Sequence, residues 1–197
     1  MIYPIRMRVM HWGVAAVVIS ALGIGFLLGY GVVDGRSRLG GILFQLHILF
    51  GVAAILFMLA RILVRLSAAP PPVRGSRTAQ RAAWSAHALL YILALSVPLL
   101  GYAMELAYGG VPSVLGLDLP DFGLAAPRGT QHPSAELIYT LHSYGGHVLA
   151  ALLVVHVGAA LWRTARARPG EADGLHRMWR SPRPFGPERV SDSRQAL

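Results

Sequence analysis

The stretch LIYTLHSYGGHVLAALLVVHVG, residues 137–158, decides the fold. It is largely apolar, and it holds His142 and His156 fourteen positions apart. At 100° per residue that interval turns through about 1400°, some 40° short of four turns, so both imidazoles share one helical face. They stand about 21 Å apart along the axis. Ionisable groups at membrane depth are costly and as a rule functional. Two imidazoles at different depths on one apolar helix suggest two stacked cofactors.

The rest of the chain is of the same kind. Of its 197 residues 54% are hydrophobic and only 14% charged, with a mean hydropathy of +0.51, which points to a membrane protein rather than a soluble domain. There is no cysteine, which excludes disulfides, iron–sulfur clusters, thiolate-ligated haem and covalent haem attachment. The net charge is +9, and all 18 basic residues are arginine. They gather at helix ends and in the tail, so membrane topology explains them and nucleic acid does not.

Four segments reach the roughly 20 apolar residues needed to span a bilayer, near 9–32, 40–66, 83–107 and 135–163. The first has too long an apolar stretch, and no suitable cleavage site, for a signal peptide. Pro70, Pro71 and Pro72 stop the second helix. Residues 108–134 are Gly- and Pro-rich and read as a loop with room for a short surface helix. The expected division is a four-helix bundle over 1–165 and a polar, disordered Arg/Pro-rich cytoplasmic tail over 166–197. Arg6, Arg8, Arg61, Arg65, Arg74, Arg77, Arg81, Arg163, Arg166 and Arg168 flank one side of the bundle. Arg36, Arg38 and Arg128 flank the other, beside Asp118, Asp121 and Glu136. The positive-inside rule then sets both termini in the cytoplasm.

With that topology the histidines acquire depths. His11 and His156 form an inner pair, His47 and His142 an outer pair, and His87 joins the inner level. The fourteen-residue interval recurs. From His47 it reaches Arg61, and a further turn reaches Arg65, two guanidinium forks suited to the propionates of a haem. From His11 it reaches Gly25 and from His87 it reaches Gly101, while Gly51 and Gly146 lie one turn after the outer histidines. Glycines at these positions leave room for a flat macrocycle. The pattern points to two bis-histidine haems, with His11, His47, His142 and His156 as axial ligands to iron.

Blander readings stand beside this one. Any single transmembrane histidine can be a polar bond to a neighbouring helix, and glycines serve helix packing alone. Arg61 and Arg65 can snorkel to the interface. His147, five residues after His142, is turned about 140° away from it. His132 and His176 fall in loop and tail and carry no signal.

Several motifs in order give a resemblance: R-x-M-H-W at Arg8–Trp12, F-Q-L-H-I-L-F-G at Phe44–Gly51, and R-I-L-V-R-L at Arg61–Leu66. A-H-A-L-L-Y at Ala86–Tyr91, V-P-L-L-G at Val97–Gly101 and the H-x13-H of the last helix follow. Over about residues 1–165 the chain resembles the bacterial four-helix cytochrome b561 family, related to the cytochrome b subunits of membrane-bound hydrogenases and formate dehydrogenases. The resemblance implies an inner haem b on His11 and His156 and an outer one on His47 and His142. It implies a multi-pass protein of the bacterial inner membrane and a histidine at His87 that is not usually a ligand.

The expected function is transfer of single electrons across the bilayer between an outer donor and the quinone pool, since bis-histidine iron leaves no open position. The resemblance implies one of two donors: superoxide, making the chain a quinone-reducing superoxide oxidase, or a periplasmic redox partner of a larger complex. The short chain without an added domain leans toward the stand-alone form. A quinone site at the inner side draws on His87, Arg61, Arg65 and Trp84. The different-class alternative is a haem-free four-helix transporter or structural membrane protein. A divalent-cation path wants carboxylates at midplane, and the spans carry almost none besides Glu105.

Overall fold

The computed structural model describes residues 4–67, 76–166 and 178. Within them the chain forms α1 (Ile5–Gly29), α2 (Arg38–Leu66), α3 (Arg77–Ala107), a minimal hairpin of β1 (Ser113–Val114) and β2 (Leu117–Asp118), and α4 (Ala135–Arg166). The proline run at 70–72, His176 and the expected tail past Arg166, Met178 apart, lie outside the described residues.

All four helices are long and apolar enough to cross a membrane. Only 6, 11, 17 and 6% of their spanning windows is buried within the chain, so their apolar faces need lipid around them. Hydropathy marks the part of each helix that sits in hydrocarbon, and backbone hydrogen bonding runs on past it to the next cap. Thus α2 starts at Arg38 because the Ser37 side chain accepts from the Gly40 N–H, and α3 starts at Arg77 because Ser76 accepts from Ala79. At the far end α1 stops at Gly29, three residues short of the apolar run, where Gly31 turns into the left-handed region at φ 66°.

The 108–134 connection contains no helix. Leu115 and Gly116, with φ of 54° and 82°, make a tight two-residue turn that pairs Val114 with Leu117 instead. This connection and the α1–α2 turn lie at one end of the bundle, here the hairpin end. The start of α1 and the close of α4 lie at the other, the termini end.

The core is a thin layer. Val18 of α1, Ala54 and Met58 of α2, Ala94 of α3 and Leu149 of α4 are all at most 6% exposed and pack together. Val18 lies seven residues from both His11 and Gly25, and Ala54 seven from both His47 and Arg61. Ala94 bisects His87 and Gly101 in the same way, and Leu149 bisects His142 and His156. The fourteen-residue interval is therefore split on every helix by a buried apolar side chain, about 10 Å from each end of it. Small residues on α2 and α3 draw the helices together at this level, and polar side chains occupy the levels above and below.

Candidate functional site

At the hairpin end the rings of His47 and His142 face each other, centres 6.0 Å apart and planes at 84°. Each is half-buried and held in the same way. The Nδ1–H of His47 donates to the Ala21 carbonyl at 2.9 Å, and that of His142 donates to the Val97 carbonyl at 2.9 Å. A carbonyl only accepts, so Nδ1 keeps its proton and Nε2 is left with its lone pair. Among the described residues nothing hydrogen-bonds either Nε2.

One helical turn beyond each accepting carbonyl is a glycine. A Cβ on Gly25 would lie 2.9 Å from His47 Cε1, and one on Gly101 would lie 2.8 Å from His142 Cε1. The two glycines therefore stand directly against the histidine rings at the level where room for a macrocycle is expected. Gly51 meets nothing within 4 Å and lies in the cleft beside the pair, as that expectation requires. Gly146 is buried against Leu22 and serves helix packing. Tyr102 and Glu105 of α3 also line this cleft. In the sequence, the signal for Glu105 at this cleft is its place one turn after Gly101.

At the termini end the ring of His156 meets two partners. His11 lies at 6.4 Å between centres, with planes at 71°, and His87 at 5.4 Å, with planes at 84°. His87 is exposed and donates Nδ1–H to the Ala83 carbonyl of its own helix. The half-buried Arg61 bonds through Nε to the Tyr91 hydroxyl at 2.9 Å and stacks over that ring at 5.4 Å. Its guanidinium is also within electrostatic reach of His11 and His156. Arg65, one turn on, is exposed, and so is Trp84.

The remaining histidines are elsewhere. His147 is exposed, donates Nδ1–H to Ser143 and accepts from the Tyr30 hydroxyl at 2.7 Å, clasping α4 to α1. His132 bonds Ser134 in the connection.

Among the described residues no three His, Cys, Asp or Glu side chains converge as they would on a bare metal ion. A haem iron asks for less, two axial nitrogens, because its macrocycle supplies the other four. Imidazole nitrogens bound to one metal at about 2 Å each set ring centres roughly 6 Å apart, so both facing pairs fit as axial donors. Orientation through Nδ1–H to a carbonyl is the usual support for a metal-binding histidine.

A four-helix membrane bundle with facing imidazoles at two levels defines a cytochrome b class of protein. The chain matches the prokaryotic cytochrome b561 family over residues 2–181 and belongs to it. It is thus a b-type cytochrome of membrane electron transfer, spanning the bacterial inner membrane several times. No curated protein matches the chain.

Proposed function

We propose that the chain carries two b haems and passes single electrons between a donor at the hairpin end and quinone at the termini end. The observation that carries this reading is the pair of facing imidazole sets, His47 with His142 and His11 with His156, one at each end of the same fourteen-residue interval on α4. Bound haem supplies a reversible one-electron change at iron. The chain's own residues do the rest: four histidines hold and orient, two carbonyls fix the hairpin-end tautomers, and the Val18–Leu149 layer keeps water from the path between levels. The arginine distribution supports an orientation with the hairpin end outside and both termini in the cytoplasm.

The quinone end draws on the His11–His87–His156 cluster. His87 is the exposed member, and its Nδ1–H is already given to Ala83, leaving Nε2 to exchange a proton with a quinone oxygen. Arg61, engaged with Tyr91 beside the same rings, is suited to holding a propionate, while the exposed Arg65 is suited to the interface.

Two donors fit the other end, superoxide and a periplasmic redox protein. Glu105 lines the cleft beside His47 and His142, and Arg36 and Arg38 stand at the same end of the bundle, so the charges there favour neither donor. The second donor makes the chain the cytochrome b subunit of a larger complex. Reduced-minus-oxidised spectra with haem quantified per chain test the core reading: two b haems are expected, and His47→Ala or His156→Ala should each remove one. Unchanged haem content in both variants, or a colourless preparation under ample haem supply, sinks it. Stopped-flow superoxide decay with added ubiquinone, set against a haem-free variant, separates the donors.

A further inference from the structure

On its lipid side α2 carries a trough of about 380 Å³ that the electron-transfer reading leaves unused. Its lining residues recur at i, i+3, i+4, i+7, i+8 and i+11 from Arg38, a single helical stripe. From Arg38 to Leu49 the stripe is about 16 Å long, close to half of a bilayer's hydrocarbon thickness of roughly 30 Å. It is graded along that length. Arg38 and Gln45 are polar and exposed toward the hairpin end, and Ile42, Leu46 and Leu49 continue it as an apolar floor.

Two features mark the trough as shaped. Gly41 sits in it with nothing within 4 Å of where a Cβ would stand, so any side chain there would project into the open channel. Over it hangs Leu115, from the turn between β1 and β2, with φ at 54°. A leucine resists that left-handed conformation, and this one is 83% exposed, so no packing within the chain offsets the strain. Arg38 forms no hydrogen bond or ion pair among the described residues.

We propose that this trough is a phospholipid site in the leaflet at the hairpin end. One acyl chain lies along Ile42–Leu49 under Leu115, and the lipid phosphate pairs with the Arg38 guanidinium. The cation at the mouth selects an anionic headgroup, and the glycine gives the chain its depth.

Native mass spectrometry of the full haem-loaded protein in mild detergent tests this, with phosphatidylglycerol and a diacylglycerol of the same chains as probes. The wild type is expected to retain phosphatidylglycerol about tenfold better than diacylglycerol, the effect of one charge-assisted contact. Gly41→Leu should lose about tenfold in phosphatidylglycerol retention with its haem spectrum unchanged, because a Cβ there has no protein atom within 4 Å and the position lies away from the histidine pairs. Gly23→Leu makes the same change at an exposed, equally open position on α1 and should lose nothing. Arg38→Gln should abolish the preference between the two probes. Equal loss in Gly41→Leu and Gly23→Leu, full retention in Gly41→Leu, or an unaltered preference in Arg38→Gln would each overturn the site, whatever the haem count proves to be.

Discussion

The Nδ1–H of His142 donates to the Val97 carbonyl across 2.9 Å, and the helix that supplies the carbonyl also supplies the seat for the ring. Gly101, one turn past Val97, has room for a hydrogen and no more, since a Cβ would come within 2.8 Å of His142 Cε1. The arrangement of His47 with Ala21 and Gly25 repeats it on α1.

Gly101→Ala should therefore push the His142 ring off its carbonyl. Overpacking of this kind costs about 1–3 kcal/mol. On the two-haem proposal, haem per chain should fall from two toward one while the termini-end signal persists, and Gly25→Ala should do the same through His47. Pyridine-haemochrome quantification with low-temperature spectra reads the result. Full occupancy with an unshifted spectrum in both variants would refute the seating role.

The middle layer makes a separate prediction. Leu149 is 2% exposed and packs against Val18, Ala54 and Ala94 between the two histidine levels. Leu149→Ala should lower stability by about 2–5 kcal/mol, the range for a cavity left by a buried leucine. Haem content should remain at the wild-type value, because no ligand contact is lost. Thermal unfolding in detergent, followed separately by helix signal and Soret absorbance, distinguishes this from ligand loss.

These two cases also show what a sequence can and cannot tell. The four spans were legible because bilayer thickness forces a run of apolar residues, and the facing pairs were legible because helix geometry converts fourteen positions into one face. The same arithmetic places Gly25 and Gly101 at the level of His47 and His142, but how closely each glycine meets its ring depends on the helix crossing, which periodicity does not fix. His87 was assigned to the right level, yet its approach to His156 at 5.4 Å depends on how α3 and α4 lean together. The hairpin at 113–118 was missed because Leu115 is a residue type that seldom takes φ near 54°.

Arg61 should set the potential at the termini end. Its guanidinium is held by Tyr91 at 2.9 Å and stands within reach of His11 and His156. A fixed positive charge favours the reduced, less positive iron, so Arg61→Gln should lower that haem's midpoint potential. The shift should be on the order of 60 mV, a tenfold change for one electron. The hairpin-end haem should not move. A redox titration resolving both haems decides it, and an equal shift at both would point to a global change.

The α3–α4 connection should loosen in alkali. Tyr108 donates its hydroxyl to Glu136 Oε1 at 2.9 Å, tying the end of α3 to the start of α4. Desolvation, followed by the bond to Glu136 and that carboxylate's charge, raises the phenol above its usual value of 10.0. A group with a raised folded pKa contributes stability that is complete below its unfolded pKa, about 10, and is lost as pH climbs through the folded value. The unfolding temperature should thus fall more steeply above pH 10 in the wild type than in Tyr108→Phe, which lacks the bond at every pH. Parallel curves for the two proteins would remove Tyr108 from the clasp.

His87 distinguishes a ligand from a proton carrier. Its ring is nearer to His156 than His11 is, 5.4 against 6.4 Å, so distance alone would make it the axial partner. Exposure argues otherwise: His87 is open to the surroundings while His11 is half-buried, and an axial ligand works best with water excluded. If His11 is the ligand, His87→Ala keeps the haem content of the wild type with unshifted spectra and loses quinone reduction. If His87 is the ligand, the same variant loses the termini-end haem and His11→Ala keeps it. Haem content and quinone reduction measured on both variants assign the two histidines, and a His87→Ala protein normal in both respects would leave quinone reduction to Arg61 and its neighbours.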